Sequence, residues 1–141
     1  MQTSEQVIEQ IKRRIEVNEL TEARRIATQS LLWWPKNVLL WRLLGVIEGT
    51  LGNHAAAKAS FISALELGNA DIDMANVVTA LLACGEVKLA IEVLESQFDD
   101  LNDEPKRIVG RAMKEALRIE VISLEWFPQS VQEFVTHSIG F

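Results

Sequence analysis

One helix-turn-helix pattern recurs along this chain at intervals of 34 and 33 residues, and that periodicity restricts the fold more than any other feature. The clearest copy runs through Trp41, Leu44 and Gly45, turns at Gly52-Asn53-His54, and continues through Ala57, Phe61 and Ala64. Trp41, Leu44 and Gly45 share one face of a first helix, and Gly45, lacking a side chain, lets a second helix approach its backbone. Ala57, Phe61 and Ala64 recur at helical spacing on that second helix, where the alanines admit the partner and Phe61 fills the groove between the two. Moved 34 residues upstream, the pattern meets Val7 and Ile11, a turn at Asn18-Glu19-Leu20, Ala23 at the small position and Pro35 at the close. Moved 33 residues downstream, it meets Met74, Val77 and Val78, a turn at Gly85, then Ala90 and Leu94.

Composition agrees with a single all-α domain. Of 141 residues, 48% are apolar and 24% charged, enough to close a core; tyrosine is absent, and the three prolines and seven glycines fall mostly at expected turns or ends. The net charge of −6 argues against nucleic acid as a partner, because phosphate binding needs clustered cations. The local basic clusters, Lys12-Arg13-Arg14 and Arg24-Arg25, stand within pairing distance of Glu9, Glu16 and Glu22 and read as solvated helix faces. The longest apolar run, Val38 to Ile47, is broken by Arg42 and too short to span a bilayer, so membrane insertion is not expected. With no basic-then-apolar leader at Met1-Gln2-Thr3-Ser4-Glu5 and a single cysteine, Cys84, the expectation is a cytoplasmic protein.

Helices are expected from Ser4 to near Asn18, behind a simple Thr3 or Ser4 cap, and from Thr21 to Trp34, stopped by Pro35. The second pair covers 38–51 and 55–67, and the third covers about 71–84, with Asp71 as N-cap, and 88–98. Asp99 to Glu104 lacks apolar periodicity and reads as a loop, after which Pro105 opens a helix running to about Glu125. Trp126-Phe127-Pro128 echoes Trp33-Trp34-Pro35, which leaves two readings: a decayed repeat boundary, or two helices meeting at a proline. Trp33 and Trp34 are adjacent, so one packs inward while the other stays partly exposed. Ile139-Gly140-Phe141 is apolar enough to dock on the fold.

Chemistry-bearing patterns are sparse. His54 and His137 have no companions at ligand spacing, so neither a metal nor a cofactor is expected. Cys84 reads as a small buried hydrophobe, and the acidic loop 99–104 lacks the glycine and distal glutamate of a calcium loop. Gly45, Gly49 and Gly52 are not followed by the Lys-Ser or Lys-Thr of a phosphate loop. No catalytic residues are assigned, and the chain is read as a non-enzyme.

The Trp41-Leu44-Gly45, Gly52, Ala57-Phe61-Ala64 offsets resemble the tetratricopeptide repeat, with Glu48 standing where that family usually has an aromatic. The resemblance implies a solenoid of about three repeats, at 4–37, 38–70 and 71–104, with capping helices over 105–138 covering the last interface. It also implies a concave groove lined by first helices. The family's groove positions fall here on Ile8, Lys12 and Ile15, then Leu39, Arg42 and Val46, then Ile72, Ala75, Thr79 and Ala83. Such a groove is mostly apolar with two cations and suits a protein or peptide segment with apolar anchors. Family members that clamp a chaperone's C-terminal carboxylate use Lys, Asn and Arg, whereas Ile8, Lys12, Leu43, Ile72 and Asn76 occupy the corresponding positions.

A narrower resemblance covers residues 10 to 120. The run Ala80-Leu81-Leu82-Ala83-Cys84-Gly85-Glu86-Val87-Lys88-Leu89-Ala90, the turn Asn18-Glu19-Leu20-Thr21-Glu22-Ala23-Arg24, and Pro105 before a long terminal helix resemble the small acidic chaperones of bacterial type III secretion. That similarity implies a cytoplasmic chaperone holding a secreted partner in its groove. The alternative is a structural adaptor or scaffold subunit that uses the Trp33-Trp34 or Trp126-Phe127 junctions. Either class can form a homodimer.

Overall fold

The computed structural model describes residues 2–138, so the tail Ile139-Gly140-Phe141 lies outside the described residues. Among those residues the chain is all-α, with eight helices, two 3₁₀ turns and no strand. The helices are α1 (Ser4–Glu16), α2 (Leu20–Trp33), α3 (Val38–Thr50), α4 (His54–Gly68), α5 (Asp71–Ala83), α6 (Val87–Gln97), α7 (Asp103–Arg118) and α8 (Gln129–Ser138). None is long and apolar enough to cross a membrane.

At the starts of α1 and α3, side chains satisfy otherwise unpaired backbone N–H groups. The Thr3 hydroxyl accepts from the Gln6 N–H at 3.2 Å while Gln6 Oε1 accepts from the Thr3 N–H at 2.9 Å. This reciprocal capping box replaces the simple cap expected, because the pairing counts from Thr3 to a glutamine rather than from Ser4 to a glutamate. The Asn37 side chain caps α3 by accepting from the Leu40 N–H at 3.2 Å. Asp71 lies inside the first turn of α5, beside Asp73, rather than in front of it.

One turn geometry recurs four times. At Asn18, Gly52, Gly85 and Glu120 the backbone enters the left-handed region, at intervals of 34, 33 and 35 residues. Each time the next residue's N–H donates back to the third carbonyl from the helix end: Glu19 to Arg14, Asn53 to Glu48, Glu86 to Leu81 and Val121 to Ala116. The left-handed residue itself donates to Ile15, Gly49, Leu82 and Leu117 in turn, completing the Schellman pattern that stops a helix. After the first three turns a new helix begins two residues later. After Glu120 only the 3₁₀ turn Leu124–Trp126 intervenes before Pro128 and α8.

That fourth turn corrects the expected helix over 105–125, which ends at Arg118. Sequence periodicity missed the stop because a glutamate, not a glycine, takes the left-handed position. The expected loop at 99–104 is also shorter than anticipated. A 3₁₀ turn covers Phe98–Asp100, and α7 starts at Asp103, with Pro105 in its first turn where a missing N–H costs nothing.

The chain divides into two compact units, Met1–Asp73 and Met74–Phe141, and the division falls within α5. In the first unit α1 packs on α2, α2 on α3, and α3 on α4, with α1 also touching α3. Val7, Ile8, Ile11, Ala23, Ala27, Leu31, Leu40 and Ile47 form one buried cluster, against which Trp34 and Trp41 pack. Trp34, the C-cap residue of α2, thus packs inward while Trp33, the last residue of the helix, stays 71% exposed. The Trp41 indole N–H donates to the Pro35 carbonyl at 2.8 Å and pins the α2–α3 connection.

The α3–α4 pair is closest-packed around glycine. A Cβ built on Gly45 would stand 2.6 Å from the Phe61 ring, one on Gly68 would stand 3.2 Å from Val38, and one on Gly49 would touch the Ala57 methyl at 3.7 Å. Ala57, Phe61 and Ala64 are buried, as their spacing indicates. In the second unit α7 packs on α8, and α8 meets the 3₁₀ turn Phe98–Asp100. Phe98 makes an edge-on contact with Phe134 at 5.6 Å, and the Lys106 ammonium sits 5.2 Å over the Phe98 ring.

Two consequences are measurable by urea unfolding. Glu120→Gly relieves a left-handed non-glycine and raises stability by roughly 0.5–1 kcal/mol, whereas Gly85→Ala lowers it by about 1 kcal/mol; the opposite order would show that the turn does not adopt this backbone in solution. Gly45→Ala forces the Phe61 ring aside and costs about 1–3 kcal/mol. A variant as stable as the wild type would mean that α3 and α4 stand further apart than described.

Candidate functional site

The first-unit residues expected to line a groove divide into exposed and enclosed groups. Leu39 and Val46 stand seven residues apart on one side of α3 and are 43% and 41% exposed, with half-buried Leu43 between them. On α1, which lies against α3, Lys12 is exposed and Ile15 half-buried. Ile8 is only 5% exposed and belongs to the core cluster, so its side chain supports the face from beneath. The Lys12 ammonium has a loose partner in Glu9 at 3.7 Å.

Arg42, the second expected cation, does not stand alone. Its Nε and Nη2 donate to the two carboxylate oxygens of Asp73 at 2.7 and 2.8 Å, a two-pronged bridge between α3 and the first turn of α5. Asp73 is fully enclosed, whereas the Arg42 side chain keeps 27% of its surface exposed. Asp73's hydrogen bonds hold the guanidinium above its ordinary value, against the opposing effect of burial and with the help of charge attraction. Ile72, next to Asp73, is half-buried.

A second enclosed carboxylate joins α2 to α3. Glu48, where the resemblance expects an aromatic, is 4% exposed, and its Oε1 lies 2.8 Å from Arg24 Nε. The approach is off the N–H axis, so charge rather than a well-formed hydrogen bond holds this contact, and Oε1 has no hydrogen-bond partner. In the second unit, Ala75 is fully enclosed, the Thr79 hydroxyl is turned back to the Ala75 carbonyl at 3.0 Å, and Ala83 is exposed. Of these three, Ala83 alone presents its side chain openly to solvent.

Sequence reasoning missed a cleft of about 650 Å³ between α1 and α2. Val7, Gln10 and Arg14 line it from α1, and Ile26, Gln29 and Trp33 from α2. At its rim Arg25 donates to Glu22 at 3.0 Å and to Gln29 at 2.9 Å, and the bond to Glu22 pulls that carboxyl below its ordinary value. The signal was present as a spacing: Glu22, Ile26, Gln29 and Trp33 recur every three or four residues, a second stripe opposite the one that carries Arg24.

Among the described residues no three His, Cys, Asp or Glu side chains gather as a metal site requires. Cys84 is half-buried at the end of α5 rather than enclosed. No family model matches the sequence, and no curated protein aligns with it.

Removing the Asp73 carboxylate strands a partly buried guanidinium, so Asp73→Ala costs roughly 2–4 kcal/mol in chemical unfolding. Asp73→Asn, which keeps one acceptor in place, costs less. A loss below about 1 kcal/mol for the alanine variant would place the bridge with ordinary screened surface pairs.

Proposed function

We propose that this chain is a non-enzymatic protein-binding module, built as a tetratricopeptide-repeat stack, that takes an apolar segment of another polypeptide. One observation carries the reading. Leu39 and Val46 are large apolar side chains left open on the same side of α3, a helix on which α1 also packs. Open apolar anchors of this kind suit an extended or helical peptide whose own apolar side chains cover them, each contributing roughly 1.5–3 kcal/mol when buried. The repeat assignment draws its support from the recurrence of one helix-stopping turn at Asn18, Gly52 and Gly85 and from the Gly45–Phe61 contact.

The more specific form of the proposal is a cytoplasmic chaperone that shields a secreted partner before export. It rests on the resemblance of residues 10 to 120 and on the acidic charge of −6. The partner class is a secreted subunit with short apolar segments, which would otherwise aggregate in water. A second reading, an adaptor acting through its outer aromatic side chains, is favoured by the 71% exposure of Trp33 and the 51% exposure of Trp126.

Affinity capture of partners with tagged protein, compared across variants that melt like the wild type, separates these readings. Leu39→Glu with Val46→Glu reduces capture at least about tenfold if the α1–α3 face is the contact, since two anchors are lost and charge is introduced. Undiminished capture by that pair, with loss in Trp126→Glu, would replace the chaperone by the adaptor.

A further inference from the structure

The turn at Glu120 differs from the other three in what it presents to water. After the left-handed residue the first three turns place a polar side chain, Glu19, Asn53 or Glu86, whereas the fourth places Val121, 44% exposed. Five residues beyond the left-handed residue the first three carry Ala23, Ala57 and Ala90, all enclosed; the fourth carries Glu125, which is exposed. The next position holds Arg24 and Lys58 in the first two turns and Trp126, 51% exposed, in the fourth. A carboxylate at the small position resists the burial that seats a second helix, and α8 begins only at Gln129, beyond Pro128.

The turn needs none of these open apolar side chains to hold its shape. The Val121 N–H donates to the Ala116 carbonyl at 3.1 Å, the Phe127 N–H donates to the Leu124 carbonyl at 3.2 Å, and Ile122 and Phe127 are enclosed. Ile119, Val121 and Trp126 are therefore held open on an anchored frame, within eight consecutive residues.

Charge selects what can cover them. Glu120 and Glu125 are exposed and, among the described residues, neither forms an ion pair, whereas Glu115 on α7 is taken by Arg118 at 2.6 Å. Arg118 is the last lysine or arginine of the chain, and Glu120, Glu125 and Glu133 follow it, so half of the net charge of −6 falls on residues 119–141. A second copy of this patch, a nucleic acid or an anionic lipid surface would each bring like charge against these carboxylates. A cationic segment is attracted instead, and an exposed indole also draws a cation over its ring.

We infer that residues 119–126 are a docking site for a short basic stretch of another protein. An apolar side chain of that stretch covers Val121 and Trp126, and a lysine or arginine on each side of it meets Glu120 and Glu125. The reach is sufficient: five residues of chain place Glu125 at most about 18 Å from Glu120, a span that an extended segment of about six residues covers. This site gives a partner class to the second reading above, in which Trp126 is a contact, and does not depend on the α3 face. Capture of natural partners that depends on Trp126 upholds that reading even where the basic chemistry proposed here fails, so the two are decided separately.

Two labelled peptides of about nine residues test the site by fluorescence anisotropy on the purified chain. Both have a centre of leucine and tryptophan; one carries two lysines at each end and the other two glutamates. The lysine peptide binds with a dissociation constant on the order of 100 µM, as suits a small transient contact, and weakens as salt screens the carboxylates, while the glutamate peptide does not bind. Glu120→Lys with Glu125→Lys inverts the preference. General attraction to an acidic protein predicts no inversion, because the doubly reversed chain, starting from −6, is still acidic. Glu92→Lys with Glu95→Lys on α6, both exposed, makes the same change of charge and leaves the lysine peptide bound. Trp126→Ser, in a variant that melts like the wild type, weakens binding at least about tenfold, and the Leu39→Glu, Val46→Glu pair leaves it unchanged. Equal binding of both peptides, binding of neither, no inversion by the double reversal, or an equal loss in the α6 control overturns the assignment.

Discussion

The first unit depends on the Phe61 ring lying directly on the backbone of Gly45. At that distance no side chain fits on α3, so α4 can come closer than two helices with ordinary side chains between them. The same pair is held at its far end by Val38 against Gly68 and towards the turn by Ala57 beside Gly49. Three contacts along one antiparallel register leave little freedom to slide or splay. The other helices of the unit then join a rigid pair: α2 and α1 both pack on α3, and the cluster around Ile11, Leu40 and Ile47 closes between them.

Packing alone does not account for the polar groups enclosed at the junctions. Arg24 with Glu48 ties α2 to α3, and Arg42 with Asp73 ties α3 to the start of α5. In each pair the carboxylate is enclosed while the arginine keeps an edge in water. Such an arrangement adds little net stability, because desolvating the carboxylate offsets much of the attraction. Its effect is on specificity: a junction that slips by one residue strands an enclosed charge, whereas a slip between purely apolar faces costs far less. The two bridges differ in quality. Asp73 meets a guanidinium fork squarely, whereas Glu48 is held off-axis and leaves an oxygen without a hydrogen bond.

Much of the fold was legible because it is local. Gly45 with Phe61, Gly49 with Ala57, and the turns at Asn18, Gly52 and Gly85 each act between neighbouring helices or within one turn, so their spacing carries the instruction. The stop at Glu120 was not legible: the residue that adopts the left-handed backbone there is one that ordinarily avoids it. Of the groove positions, Leu39 and Val46 stand open, while Ile8 and Ala75 are enclosed. Helical periodicity gives the direction in which a side chain leaves its helix, but not how far a neighbouring helix reaches across it.

The amino-acid order by itself determined that the chain is helical, where its first six helices begin and end, and which small residues let them approach. These follow from propensity, capping and turn chemistry, which operate over a few bonds. Only the tertiary structure decided that Arg42 closes on Asp73 rather than lining a surface, that Glu48 is enclosed beside Arg24, and that Gln10, Gln29 and Trp33 border one cleft. Partners drawn from separate helices must be brought together before their charges and shapes can act on each other, and no spacing along the chain encodes that meeting.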